Sequence, residues 1–198
     1  MNFTPLLALL PLTIVMSVTP GPNNIMVMSS GVNFGMQRTW PHMMGVAIGF
    51  PLLLAAVGLG LGQVFKAYPL IQTLLKILGI LYLLWMAWGL SQARALHEPD
   101  ARKHPLSFFE AALFQWINPK AWLFCIALMA EFGAYVVARW LNLAMICVVV
   151  GAISLLSVLI WGVAGTLIAQ KLHSPIALRR FNWTMAVALV LSLIPMIH

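Results

Sequence analysis

Six apolar runs, each close to or above the length a helix needs to cross a bilayer, fill most of this 198-residue chain. They lie at about Phe3 to Met28, His42 to Gln63, Tyr68 to Leu90, Phe108 to Phe132, Trp140 to Ala169 and Ile176 to Ile197. A hydrocarbon core roughly 30 Å thick takes about 20 residues of α-helix. Backbone groups have no water to bond to there, so helices are what runs of this length and apolarity form. Composition closes off a soluble domain: 62% of the residues are apolar and 8% charged, where a globular domain carries roughly 25% charged residues. The expected fold is therefore all-α, a polytopic membrane protein with a single transmembrane domain over residues 1–198. No Lys or Arg precedes Arg38, so the basic region of a cleaved signal peptide is missing and the first run is expected to stay in the mature protein. The formal charge of +7 comes from basic residues placed singly or in pairs between apolar runs. That placement is a topology signal and not a nucleic-acid stripe.

The connections organise the runs. The polar stretch Ser91 to Ser107 holds Arg94, His97, Glu98, Asp100, Arg102, Lys103 and His104, and divides the chain into a first half (1–90), a central loop (91–107) and a second half (108–198). Three spans per half would make the second half enter the membrane with opposite orientation, the arithmetic of a 3+3 inverted repeat. Gly133 to Ala138 is nearly as apolar as its flanks, so a five-span arrangement stays open. Arg38, Arg94, Arg102, Lys103, Lys171, Arg179 and Arg180 fall in the odd connections, against Lys66 and Arg139 in the even ones. Positive residues stay inside, which puts the odd connections in the cytoplasm and, with six spans, both termini outside. With five spans the termini would lie on opposite faces. Trp40, Trp140 and Trp183 fall near span ends, where aromatic belts place such rings.

Two of the runs are interrupted. Thr19-Pro20-Gly21-Pro22-Asn23-Asn24 lies inside the first, where two prolines remove backbone N–H groups and the glycine loosens the chain between them. Freed backbone groups at membrane depth are tolerated only where they face protein or a water-filled cavity. Asn118-Pro119-Lys120 repeats the theme in the fourth run, the corresponding segment of the second half. Paired breaks of this kind point to a solute site near the midplane. Lys120 costs about 2.5 kcal/mol or more at a helix centre, so it needs a cavity, a partner or a route to the interface. It is expected to hold a substrate carboxylate together with exposed amides, while break carbonyls and Asn23 or Asn118 receive an ammonium group. Lys76, about eight residues into the third run, is a further candidate, with snorkelling to the interface as its alternative.

Other chemistries lack their residues. No Asp or Glu lies deep in a run, which disfavours metal ions and strongly cationic substrates; Glu110, Glu131 and His42 are the candidates for carrying a coupling proton. His42, His97, His104, His173 and His198 all read as lying in or near connections, and none pairs at helical spacing for a metal. Ser154 and Ser157 have no intramembrane His and carboxylate to activate them. Cys125 and Cys147 sit in apolar stretches without redox spacing. No catalytic residue, metal or cofactor is expected. Gly31xxxGly35, Gly45xxxGly49 and Gly58xxxGly62 read as close helix packing, and the methionines as adaptable filler.

The string Thr19-Pro20-Gly21-Pro22-Asn23 resembles the signature of the lysine-exporter superfamily of bacterial amino-acid efflux transporters. Gly45, Gly49 and Gly58, the pattern Lys76-x-x-Gly79-x-x-Tyr82-Leu83, and Asn118-Pro119-Lys120 followed by Phe124 agree with it, so the resemblance covers essentially the whole chain. It implies a multi-pass bacterial inner-membrane exporter of amino acids, coupled to the proton gradient and oligomeric. The extension Asn23-Asn24-Ile25 looks most like members that export cysteine and O-acetylserine. Two features depart from the family pattern: Ala130-Glu131-Phe132 stands where many relatives have Pro-Gln-Phe, and Pro51 interrupts the second run early.

Overall fold

A computed structural model of the chain describes residues 4–92, 104–138 and 140–194. Among these residues there are helices and turns and no strand. The first run is two helices, α1 (Thr4–Val18) and α2 (Pro22–Phe34); the second is α3 (Met36–Ala56), which after a kink at Gly60, where φ is 112°, resumes as α4 (Gly62–Ala67). The third is α5 (Pro69–Gln92), the fourth α6 (Phe108–Phe114) and α7 (Pro119–Ala138), the fifth α8 (Trp140–Ala169) and the sixth α9 (Pro175–Leu191). Both expected breaks are present. Arg94, His97, Glu98, Asp100, Arg102, Lys103, Arg139 and His198 lie outside the described residues.

Local chemistry fixes the helix ends. Pro22, Pro119 and Pro175 each open a helix, where the missing proline N–H would have been unpaired in any case. Ser107 and Glu110 form a reciprocal cap that starts α6: the Glu110 N–H donates to Ser107 Oγ at 3.3 Å and the Ser107 N–H to Glu110 Oε2 at 2.8 Å. Gly35 alone separates α2 from α3, with φ of 77°, a backbone that residues with a side chain rarely adopt. This one-residue turn starts the second helix at Met36 and not at His42. It also corrects the reading of the histidines: His42 lies inside α3, fully buried, with Nδ1 3.1 Å from Ser30 Oγ.

The 30 residues of α8 make a rod about 45 Å long against which α2 and α3 lie. Glycine lets the backbones touch. A Cβ on Gly31 would stand 2.6 Å from the Gly162 carbonyl oxygen, and one on Gly151 2.9 Å from Pro51 Cγ. Of the glycine pairs noted in the sequence, Gly45 packs on the Phe108 carbonyl, Gly49 on Ala112 and Gly58 on Leu143. Gly35 instead serves the turn, and Gly62 meets only Val57, at 3.7 Å.

These contacts also fix direction. Gly45 touches Phe108 and Gly49 touches Ala112, so α6 runs alongside α3 in the same sense. Gly79 meets Ile117 and the Tyr82 ring stacks 5.4 Å from Phe114, so α5 runs opposite to α6. Gly151 lies by Pro51 and Gly162 by Met43, so α8 runs opposite to α3. Asn182, midway along α9, pairs with Asn33 at the end of α2, and the short turn at 170–174 sets the start of α9 beside the end of α8. The end of α2, the start of α3, the end of α5, the starts of α6 and α9 and the end of α8 therefore share one end of the bundle. Arg38, Lys171, Arg179 and Arg180 lie at that end. Three helical stretches, Met36–Val64, Pro69–Gln92 and Trp140–Ala169, are long and apolar enough to cross a membrane by length and composition.

Gly79 is the point where α5 reaches the second break, since an added Cβ would overlap the Ile117 carbonyl oxygen. Gly79→Ala is expected to cost about 1–3 kcal/mol by overpacking, read as a lower thermal midpoint in detergent. Gly89→Ala on the same helix, where a Cβ meets nothing within 4 Å, is expected to leave the midpoint unchanged or raise it slightly.

Candidate functional site

A helix that stops inside a bundle leaves its last carbonyls without partners, and α1 stops at Val18. Side chains from other elements supply the missing donors. Ser17 O accepts from Ser157 Oγ at 2.7 Å and from Asn24 Nδ2 at 2.7 Å. Val18 O accepts from Trp161 Nε1 at 3.2 Å. Thr19 O accepts from Asn24 Nδ2 at 3.1 Å and from the Lys120 ammonium at 2.8 Å. One stretch of unwound backbone thus gathers α2, α7 and α8 around it.

The second break is fastened to the first. After α6 the chain tightens through three-residue bonds from Gln115, Trp116, Ile117 and Asn118, and Asn118 then caps α7 by accepting the Lys120 N–H at 3.1 Å. Gln115, fully buried, exchanges two hydrogen bonds with the Asn23 amide, at 2.8 and 3.1 Å, and gives a third to Ala111 O at 2.9 Å. The Lys120 stem crosses directly over Gly21, where a Cβ would stand 2.8 Å from Lys120 Cδ. Only a residue without a side chain lets the lysine reach the Thr19 carbonyl.

Between the breaks lies a cavity of about 50 Å³, room for about three water molecules. Gly21, Asn23 and Asn24 line it from the first break, Asn118 and Lys120 from the second, and Ser154 and Ser157 from α8, with Phe50 and Phe124 among its apolar walls. Ser17 Oγ, on the same wall, is buried with no hydrogen-bond partner. Gly21 offers no side-chain cap to α2, so that helix presents open N–H groups and the positive end of its dipole. Lys120 is the one charged residue among those lining the cavity. The walls therefore offer partners to an anionic group and to a hydrogen-donating group on a small solute.

Of the residues singled out in the sequence, Gly21, Asn23, Asn24, Asn118 and Lys120 line the cavity, and Thr19 supplies the carbonyl that Lys120 grips. Pro20, Pro22 and Pro119 shape the breaks without lining it. Lys76 lies one helical turn before Gly79 on α5, partly buried, and does not reach the cavity. Sequence reasoning passed over Gln115, Ser17 and Trp161 and considered Ser154 and Ser157 only as nucleophiles. A glutamine three residues before Asn118 and two serines one turn apart in the most apolar helix were the available signals.

The Asn23–Gln115 pair yields a measurable coupling. Gln115→Leu strands the Asn23 amide and is expected to destabilise by about 1–3 kcal/mol. Asn23→Leu combined with Gln115→Leu is expected to recover part of that loss in thermal unfolding, because both polar groups are then removed together.

The LysE type translocator family model matches residues 14–194. A cysteine/O-acetylserine efflux protein of Klebsiella pneumoniae is 30% identical over 187 residues, covering 92% of each chain. Proteins of the same name from Salmonella choleraesuis and Escherichia coli O1:K1 are 32% and 28% identical over 123 residues, 61% of each chain. No solved structure matches the chain. With the family model covering nearly its whole length, over helices that break around a shared cavity, the chain belongs to the LysE type translocators, multi-pass membrane proteins that move a solute and do not transform it.

Proposed function

We propose that this translocator exports small neutral amino acids or their derivatives, such as cysteine, O-acetylserine, threonine and homoserine, from the cytoplasm across the bacterial inner membrane. The observation that carries the reading is the cavity where the two breaks meet, with a cation, helix N–H groups and unwound carbonyls on its walls. The substrate carboxylate sits at the start of α2 and on Lys120. Its ammonium group takes over from the Lys120 ammonium at the Thr19 carbonyl and draws on Asn23 or Asn118. A zwitterion matches these groups, whereas a basic side chain would need a carboxylate that no residue lining the cavity offers. The substrates named for the relatives, cysteine and O-acetylserine, are small and neutral in the same sense.

In this reading the chain crosses the membrane six times as two inverted halves, 1–90 and 108–198, joined by the loop at 91–107, and the halves rock about the site in alternating access. Support comes from the opposed directions of the two broken segments and from the gathering of Arg38, Lys171, Arg179 and Arg180 at one end, the cytoplasmic end by the positive-inside rule. The chain works embedded in lipid and as a homo-oligomer. Export draws on the proton gradient, with His42, fully buried beside Ser30, a better placed carrier than the exposed Glu110 and Glu131. Lys76 stays outside the proposed site.

Cells expressing the protein, loaded with amino acids as dipeptides, test this directly. The wild type is expected to release one or a few small neutral amino acids several-fold faster than cells without it, and a protonophore to slow that release. Lys120→Ala, at equal abundance in the membrane, is expected to bring release down to background. A wild type that sits in the membrane and exports none of the panel would refute the amino-acid reading.

A further inference from the structure

The exposed outer seam between α5 and α9 holds an apolar groove. Leu84, Trp88 and Ser91 of α5 face Trp183, Val187 and Leu191 of α9 across an apolar groove of about 310 Å³. Trp88 is 68% exposed and Trp183 50%, so the groove opens outward, to where lipid surrounds the bundle. The two helices run in opposite senses, because Gly79 and Tyr82 fix α5 against α6 while the short turn after α8 sets the start of α9 at the end of the bundle where α8 finishes. Trp88, Ser91 and Trp183 therefore lie together at the basic end of the bundle.

The α9 wall follows helical spacing. Trp183, Val187 and Leu191 repeat every four residues, and the turn before them on the same face is Arg179 and Arg180. Both arginines are exposed. The described residues of α5 and α9 contain no Asp or Glu to neutralise them. The apolar groove, with two indole rings and the Ser91 hydroxyl on its walls, is thus continued along α9 by two guanidinium groups about one helical turn before Trp183, or roughly 5 Å along the axis.

We propose that this groove is a seat for one anionic phospholipid, its acyl chain lying between α5 and α9 and its phosphate on Arg179 and Arg180, with Trp88 and Trp183 at the headgroup boundary. The chemistry selects this occupant. Indole rings prefer the headgroup level, planar guanidinium groups match phosphate oxygens, and basic pockets between membrane helices on the cytoplasmic side hold anionic headgroups. A second copy of this chain seated symmetrically would bring its own Arg179 and Arg180 to the same seam, like charge towards like.

Mass spectrometry of the intact protein released from detergent, titrated with phosphatidylglycerol and with phosphatidylcholine, reads the preference. Wild type is expected to retain phosphatidylglycerol about thirtyfold more tightly, as two surface arginines at about 1 kcal/mol each supply. Arg179→Gln with Arg180→Gln is expected to bring the ratio near one, and Arg179→Lys with Arg180→Lys to keep most of it, which separates loss of charge from loss of fold. Val187→Trp, which fills the trough from an exposed position, is expected to weaken both lipids. Equal retention of the two lipids by wild type, or a preference that survives Arg179→Gln with Arg180→Gln, would overturn the proposal. So would a dimer that Val187→Trp dissociates without any phosphatidylglycerol preference in the wild type.

Discussion

A backbone carbonyl without a partner inside a helix bundle is costly, and the end of α1 releases three in a row. Ser17, Val18 and Thr19 each turn an oxygen away from their own helix, and each is met by a side chain from elsewhere: Ser157 and Trp161 of α8, Asn24 of α2, and Lys120 of α7. Satisfying these oxygens draws three helices from both halves of the chain to one point. The cavity is the space left over when they arrive, and its polar lining follows from the same donors. Architecture and site therefore have one cause.

A close backbone approach makes that arrangement possible. Gly21 yields room for the Lys120 stem, Gly79 lets α5 reach the turn at Ile117, and Gly31 and Gly165 seat α2 against α8. Without a strong hydrophobic drive between helices in lipid, packing at this range is what holds them. The paired amides add specificity. Asn23 with Gln115, and Asn33 with Asn182, each satisfy donor and acceptor at once, so a register shift between the helices would leave four polar groups bare.

Much of this was legible in the sequence, for reasons that can be named. Proline and glycine at Thr19 to Pro22 and at Asn118-Pro119 act through covalent geometry, so both breaks could be read without neighbours, and Lys120 stood out because charge in an apolar run demands a reason. Gln115 and Ser157 escaped because their partners lie 92 and 140 residues away, and only packing brings those positions together. The second helix starts before its apolar run because Gly35 turns the chain in one residue and the polar Gln37-Arg38-Thr39, which reads as a connection, is the first part of α3, with His42 inside it. Lys76 reads as a further candidate with snorkelling as its alternative, and α5 contributes no residue to the cavity wall.

The lone cation in the cavity has an electrical corollary. Moving an elementary charge through the membrane field involves about 2.3 kcal/mol per 100 mV, so a site that changed its charge on loading would be pushed by the resting potential in one state and not in the other. In the proposed export cycle a zwitterion adds equal and opposite charges beside Lys120, so loading the cargo by itself leaves the charge of the site unchanged. Any pull of the membrane potential on that cycle then falls on the coupling proton and not on the cargo.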